Sequence, residues 1–594
     1  MAPGKAYPSQ AAARDATSRM KAALALHQRG QLDLAEAVYR EILQQQPRHF
    51  DALQLLATIA AQRNQSASAV ELFDQALAIN PEHAASHNNR GIALRNLGRL
   101  DEALLSYDKA ICLKPDYVDA LNNRGIALRE LKHSEAALAS YDQALKIRPG
   151  HAEVLFNRGE VLLELDRADH ALSSFGAALK VKPSYAQALN GCGKALQDLG
   201  RLEEALGNFE RALAIRPAYA DALINSGTVL EDLQRAEQAL QYYEQALLIE
   251  PANAQALANR GNALQGLMRL EEAQQSHALA LALEPHNATV HWNASLCKLL
   301  AGNFSAGWAE YEWRWKMEPQ PEPHREFGVP LWLGRQDLRG KAILLHAEQG
   351  LGDTLQFCRY ARGLAQSGAS VILEVQPALT GLLQQLGLAC VLAQGENLLP
   401  LDFHCPLLSL PLALGADLDN IPNQPYLWAD PKKVRMWADR LGARRRTRVG
   451  LAWSGGAAHA QDRRRSIALE KFKAVLQPRV DYFCLQNEVR PLDQAELAAQ
   501  TEIRYFGEEL QDFNDTAALV ECMDCVITVD TSVAHLAGAM GKKVWILLPF
   551  SPDWRWLRER NDSPWYRSAR LFRQPAIGDW DSVLRAVGAQ PLSA

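Results

Sequence analysis

Small and apolar residues recur along the first half of the chain on a 34-residue clock. Alanines stand at 69, 103, 137, 171, 205, 239 and 273, and again at 76, 110, 144, 178, 212, 246 and 280. Glycines mark 91, 125, 159, 193, 227 and 261, and large rings mark Phe73, Tyr107, Tyr141, Phe175, Phe209 and Tyr243. Prolines close the periods at 47, 81, 115, 149, 183, 217, 251 and 285. Each period holds two helical stretches, such as DALNNRGIALREL at 119–131 and EAALASYDQALKI at 135–147. Small residues admit close helix pairing, and the ring fills the gap toward the next period. The proline stops the second helix and fixes the turn. One such pair cannot bury its apolar face alone, so the periods must stack.

This residue pattern resembles the tetratricopeptide repeat (TPR). Eight repeats are expected from about residue 14 to 285, after a disordered tail at 1–13, and the first reads as a cap. The stretch GNFSAGWAEYEWRWKM at 302–317 supplies closing helices, with Trp308, Tyr311, Trp313 and Trp315 docking the last repeat on the next domain. Asn89, Asn123, Asn157, Asn225, Asn259 and Asn293 form a further register, broken at Gly191. A ladder of amides, each with two donors and an acceptor, grips an extended peptide backbone whatever its side chains. Alternatively each Asn bonds the backbone of the neighbouring repeat. A similar ladder marks the superhelix of protein O-GlcNAc transferases, and the resemblance implies a protein or peptide partner in the TPR groove.

A proline-rich, polar stretch, 318–339, reads as a linker. Beyond it the period changes. KAILLHA (341–347), SVILEV (370–375), VGLAW (449–453), YFCLQ (482–486), CVITVD (525–530) and KVWILLPF (543–550) read as buried strands separated by helices. That alternation implies parallel sheets with right-handed crossovers. Two Rossmann-like lobes are expected at 340–441 and 447–575, with a closing helix at 576–594. Ligands of such sheets sit at the carboxyl ends of the strands.

Three loops at those ends carry candidate chemistry. In HAEQGLGDTLQF (346–357), Gly350 and Gly352 permit a tight turn that ends on Asp353, which is either a base aimed into the cleft or the cap of the next helix. In GLAWSGGAAHAQDRRRS (450–466), Gly455 opens a loop that leads to Arg463, Arg465 and Ser466, and a guanidinium fork matches phosphate oxygens. In VDTSVAHLAGAMG (529–541), Asp530 ends a strand, and Thr531 and Ser532 open a helix whose N-terminus favours a diphosphate. His535 lies one turn in. The other reading makes Asp530 or Thr531 a cap and His535 a satisfied core residue. Gln486 ends a strand and is placed to read a nucleotide. The aromatic, arginine-rich stretch 551–566 reads as a lid after the last strand. Cys522 and Cys525 form a lone CxxC, read as core packing, since no second pair completes a zinc site.

The three motifs, in this order, resemble those of bacterial heptosyltransferases. That resemblance implies a GT-B fold, a nucleotide-sugar donor on the second lobe and the acceptor toward the first. It implies Asp353 as general base, with Arg463 or Arg465 and the helix at Ser532 holding the leaving diphosphate. Ser532 replaces the family's usual glycine, and arginine stands where lysine is common. The expected protein is therefore an α-helical TPR superhelical solenoid followed by an α/β GT-B region. It transfers sugar, with inversion, to an acceptor hydroxyl on a docked protein. It uses a nucleotide-sugar co-substrate, no cofactor and no metal. Two alternatives are an interaction scaffold with an inactive transferase region, and a transferase building surface glycan.

Composition narrows the partners. Over 594 residues the formal charge is −5, against the basic excess of a general nucleic-acid binder. No apolar run approaches a transmembrane segment, and the first twenty residues lack a hydrophobic signal core. Nine scattered cysteines suit a reducing compartment. The expectation is a cytoplasmic protein.

Overall fold

A computed structural model describes residues 10–317, 325–456 and 462–592, with side chains from residue 17 onward except that of Arg463. Residues 1–9 of the expected tail and 318–324 of the expected linker lie outside the described residues. The chain divides into two compact units, Met1–Glu250 and Pro251–Ala594.

The first unit is a stacked TPR array. Its first helices, Phe50–Gln62, Ala84–Asn96, Val118–Glu130, Ala152–Glu164, Ala186–Asp198 and Ala220–Asp232, begin 34 residues apart. Each is followed by a second helix, as Leu100–Leu113 follows Ala84–Asn96. Helices Gln10–Gln28 and Leu32–Gln45 precede them.

The glycine and aromatic registers explain one another. A Cβ on Gly91, Gly125, Gly159, Gly193 or Gly227 would lie 2.3–2.5 Å from the ring of Tyr107, Tyr141, Phe175, Phe209 or Tyr243. Those rings are fully buried. Each therefore rests on the glycine of its own repeat as well as reaching toward the next. A third register ties three helices together: Arg90, Arg124 and Arg158 bond Asp74, Asp108 and Asp142 at 2.6–2.7 Å through Nε. Their Nη1 groups bond Ser106, Ser140 and Ser174 at 2.6–2.7 Å.

The second unit opens with helices Ala254–Gly266, Leu270–Leu283, Ala288–Leu300 and Phe304–Tyr311 and a 3-10 turn, Glu312–Lys316. Two all-parallel sheets come next. The first orders its strands β3-β2-β1-β4, with β1 Ala342–His346, β2 Ser370–Val375, β3 Cys390–Ala393 and β4 Phe403–Pro406. The second is β10-β9-β8-β5-β6-β7, with β5 Thr447–Ala452, β6 Val480–Cys484, β7 Ile503–Arg504, β8 Cys525–Val529, β9 Val544–Leu548 and β10 Ala569–Arg573. Strand β9 is thus not the last, and the stretch 551–566 connects it to β10. Val449, Leu451, Ile527, Val529 and Leu547 are fully buried, as continuous apolar strands in parallel sheets require. Strand order reverses beside β1 and between β5 and β8, which makes the carboxyl ends there the natural crevices.

The helices at the start of this unit are docked on the sheets. The indole of Trp308 donates to Ala416 O at 3.1 Å. Arg314, 3 % exposed, donates to both carboxylate oxygens of Glu348 at 2.8 and 2.9 Å, to Glu312 at 2.7 Å and to Ser409 Oγ at 2.8 Å. Trp332, from the stretch read as linker, is buried and bonds through its backbone N–H to His404 O at 2.8 Å.

Candidate functional site

Three loops converge where the two sheets meet. After β1 the chain turns at Gly350 into helix Leu351–Phe357. Asp353 lies within the first turn of that helix, not at its cap, and no side chain caps it. A Cβ on Gly352 would stand 2.9 Å from His535 Cδ2 and 3.6 Å from Ser532 Cα. Glycine there lets the first lobe's turn press against the mouth of helix Ser532–Ala539. No side chain caps this second helix either: Thr531 Oγ1 faces Thr528 Oγ1 at 3.2 Å instead. Its end keeps the anion-favouring character of a helix N-terminus.

Arg555, from the connection after β9, lies against the first of these helices. Its Nε donates to Gln356 Oε1 at 2.7 Å and its Nη1 to Asp553 Oδ1 at 2.8 Å. Its Nη2 is paired with Asp353 Oδ1. Burial works to discharge the guanidinium, but the carboxylates of Asp553 and Asp353 outweigh it and hold its pKa above the usual value. Trp554 anchors the same loop, 5.1 Å from the ring of Trp308, and Arg558 bonds Glu271 at 2.9 Å.

Asp530 ends the strand beneath the helix mouth. Burial, and then the charge of Asp553, raise its pKa to about 6. His535 is buried; its Nδ1 faces Tyr566 Oη at 2.9 Å, and its Nε2 stands 3.9 Å from Asp530. Burial, reinforced by Arg555, Arg359 and Arg465, keeps the imidazole neutral. Arg465 is close enough to Asp530 and His535 to influence both charges. Gly455 makes its placement possible, since a Cβ there would meet Arg465 Nη2 at 2.7 Å.

Other expected residues have structural duties. Ser466 Oγ accepts from Gly455 N at 3.1 Å and donates to Asp462 at 2.7 Å, which closes the glycine loop. The amide of Gln486 is engaged on both sides: it accepts from Trp453 N at 2.8 Å and donates to Ser454 Oγ at 2.9 Å and Glu488 O at 3.2 Å. The side chain of Arg463 lies outside the described residues. Cys522 and Cys525 are both free thiols. Arg555, Asp553 and Arg359 were not singled out from the sequence, although the aromatic, arginine-rich composition of 551–566 pointed to their neighbourhood.

In the first unit the asparagines Asn89, Asn123, Asn157 and Asn225 are half-buried. Asn123, Asn157 and Asn225 donate to the side chains of Asn88, Asn122 and Asn190 at 2.9–3.0 Å. Each thus bonds the neighbouring repeat through a side-chain carbonyl rather than the backbone. Asn259 and Asn293 stand half-buried at the same register in the second unit.

These observations define a class: a TPR array followed by an α/β region of two parallel sheets. In agreement, residues 55–118, 108–152, 122–188, 156–220 and 193–256 match the tetratricopeptide repeat family. Among individual proteins, the chain is similar to Protein FlbA of Caulobacter vibrioides, 25% identical over 327 residues, 49% of this chain and 52% of that protein. The chain thus spans about half the length of this curated relative. Among solved structures, it is similar to YrrB, described as a TPR protein with an unusual peptide-binding site. The identity is 27%, the likeness covers 32% of this chain and 97% of that one, and the TM-score is 0.28. It is also similar to a TPR protein of Parabacteroides merdae at 22% identity, over 42% of this chain and 98% of that one, with a TM-score of 0.37. No helix among the described residues is long and apolar enough to cross a membrane.

Proposed function

We propose that the α/β region transfers a sugar from a nucleoside-diphosphate donor to a hydroxyl of a protein held by the repeat array. The observation that carries this reading is the meeting of Asp353, on one lobe, with an uncapped helix mouth and a buried arginine on the other. The donor diphosphate sits at the N-terminus of helix Ser532–Ala539, where Arg465 and Arg555 supply positive charge. Asp353 takes the acceptor proton as that oxygen bonds to the anomeric carbon. The bond from that carbon to the diphosphate breaks, and its electron pair leaves with the phosphate. Because Arg555 already pairs with Asp353, the diphosphate competes with the carboxylate for it, and donor arrival releases the base. The asparagine series holds the acceptor chain.

A second reading, a scaffold with a silent transferase region, draws on that same ion pair, which can equally lock the lobes. The test is thermal melting of the full chain against a panel of nucleotide sugars, together with donor hydrolysis. A transferase gains melting temperature with one nucleotide class, since ligand binding to the native state adds stability. Asp353→Asn then loses turnover but keeps the shift. A scaffold shows neither effect.

A further inference from the structure

The asparagine series of the first unit is interrupted once, and a cavity opens beside the rung before the interruption, Asn157. Position 191 is glycine, and a Cβ there would stand 2.6 Å from Phe175 Cζ. Thirty-five residues earlier, where Asn123, Asn157 and Asn225 find an asparagine partner, stands Phe156. Its ring packs 5.8 Å from Phe175 and 5.2 Å from Tyr185. The cavity, about 520 Å³, is lined by Phe156, Tyr185, Asn157, Arg148, Lys182 and Glu153, among others.

Its two cations belong to a register of their own. Lys114, Arg148, Lys182 and Arg216 occupy the position before the proline in four successive repeats; Asn80 precedes them and Glu250 comes after. Three stand over half-buried or buried tyrosines: Lys114 lies 5.0 Å from the Tyr117 ring, Lys182 4.6 Å from Tyr185 and Arg216 4.9 Å from Tyr219. All four cations are exposed. Among the described residues none of the four has an ion pair, whereas Arg90, Arg124 and Arg158 are each paired with an aspartate. Each cation is thus held over its repeat by ring contact rather than by a carboxylate within 4 Å, except Arg148, which lines the cavity. Glu153 is the cavity's single acidic lining residue, and Arg148 and Lys182 outnumber it.

We propose that this face takes an extended acidic peptide. One apolar side chain enters the cavity against Phe156 and Tyr185, flanking carboxylates meet Arg148 and Lys182, and the Asn157 amide meets the backbone. The inference rests on the docking half of the proposed function and names the chemistry it selects.

The test uses the full chain and a fluorescein-labelled decapeptide of glutamate and alanine with a central phenylalanine, read by fluorescence anisotropy. Counterparts carry lysine for glutamate, or alanine for phenylalanine. The acidic peptide binds and the basic one does not, and losing the phenylalanine weakens binding. Arg148→Gln with Lys182→Gln weakens it about tenfold, steeply salt-dependent, while Glu153→Gln tightens it about twofold. Melting temperatures of these exposed-site variants stay unchanged. Equal binding of acidic and basic peptides, or indifference to the double variant, overturns the acidic site and leaves backbone docking intact. If no peptide of any charge binds, docking falls as well.

Discussion

Asp353 of the first lobe and Arg555 of the second form an ion pair across the seam between the sheets, with the arginine held from its other side by Asp553 at 2.8 Å. Removing the guanidinium leaves the half-buried carboxylates of Asp353 and Asp553 without their shared cation. Arg555→Gln is expected to cost about 1–3 kcal/mol, as leaving charged hydrogen-bond partners unmatched does. Adding Asp353→Asn recovers part of that loss. Denaturant unfolding of the four-member cycle measures the coupling, and additive costs would contradict the pairing.

Asp530 gives a pH signature. Its folded pKa, raised to about 6, exceeds the ordinary carboxylate value of 3.8. Between about pH 4 and 6 the folded chain keeps a proton that the unfolded chain loses, so stability falls as pH rises through that window and stays lower above it. Asp530→Asn therefore stabilises at pH 7.5 by on the order of 2 kcal/mol and has little effect at pH 4. His535, held neutral, works oppositely: its share is lost as pH falls below the ordinary histidine range. The informative quantity is the variant-minus-parent melting shift at each pH. A shift of the same size at both pH values would remove the charge argument.

Gly193 and Gly207 lie in adjacent helices, yet alanine should affect them in opposite directions. At 193 the new methyl would stand 2.3 Å from the buried Phe209 ring; at 207 nothing lies within 4 Å. Alanine gains about 1 kcal/mol of helix propensity at either position. Overpacking costs about 1–3 kcal/mol, and only at 193. Gly193→Ala should lower the melting temperature and Gly207→Ala should raise it slightly. Phe209→Leu added to Gly193→Ala should return part of the loss.

Arg314 offers a test of the docking of the last helices. Arg314→Gln leaves Glu348 buried without its bidentate partner, and burial already raises that carboxyl's pKa. A loss of about 3–5 kcal/mol is expected, read by chemical denaturation. Glu348→Gln added to it restores part. Arg325→Gln applies the same rule at a half-exposed cation, since its partner Glu374, 2.6 Å away, is fully buried.

The repeats were legible because their physics is periodic: a ring every 34 residues needs a glycine to lie on, and both appear in the letters. The strand-turn-helix loops of Asp353, Asp530 and Ser532 were legible because each is local. Arg555 was not, since its pairing with a residue 202 positions earlier has no sequence period. Arg314 was hidden for a similar reason, because the tryptophans around it drew attention to packing. Strand β7, two residues long, carries too little pattern to be seen. Strand β10 comes after a loop whose tryptophans imitate the end of a domain. Gln486 was placed on the right strand end, but its amide is spent on Trp453, Ser454 and Glu488.

Phe175 excludes any side chain at position 191, and so makes the amide series of the first unit lopsided: three rungs on one side of the gap, one on the other. Under the proposed peptide docking, a bound strand would lose an amide contact at this one repeat, so the packing of a single benzyl group sets where along the array the grip on its backbone lapses.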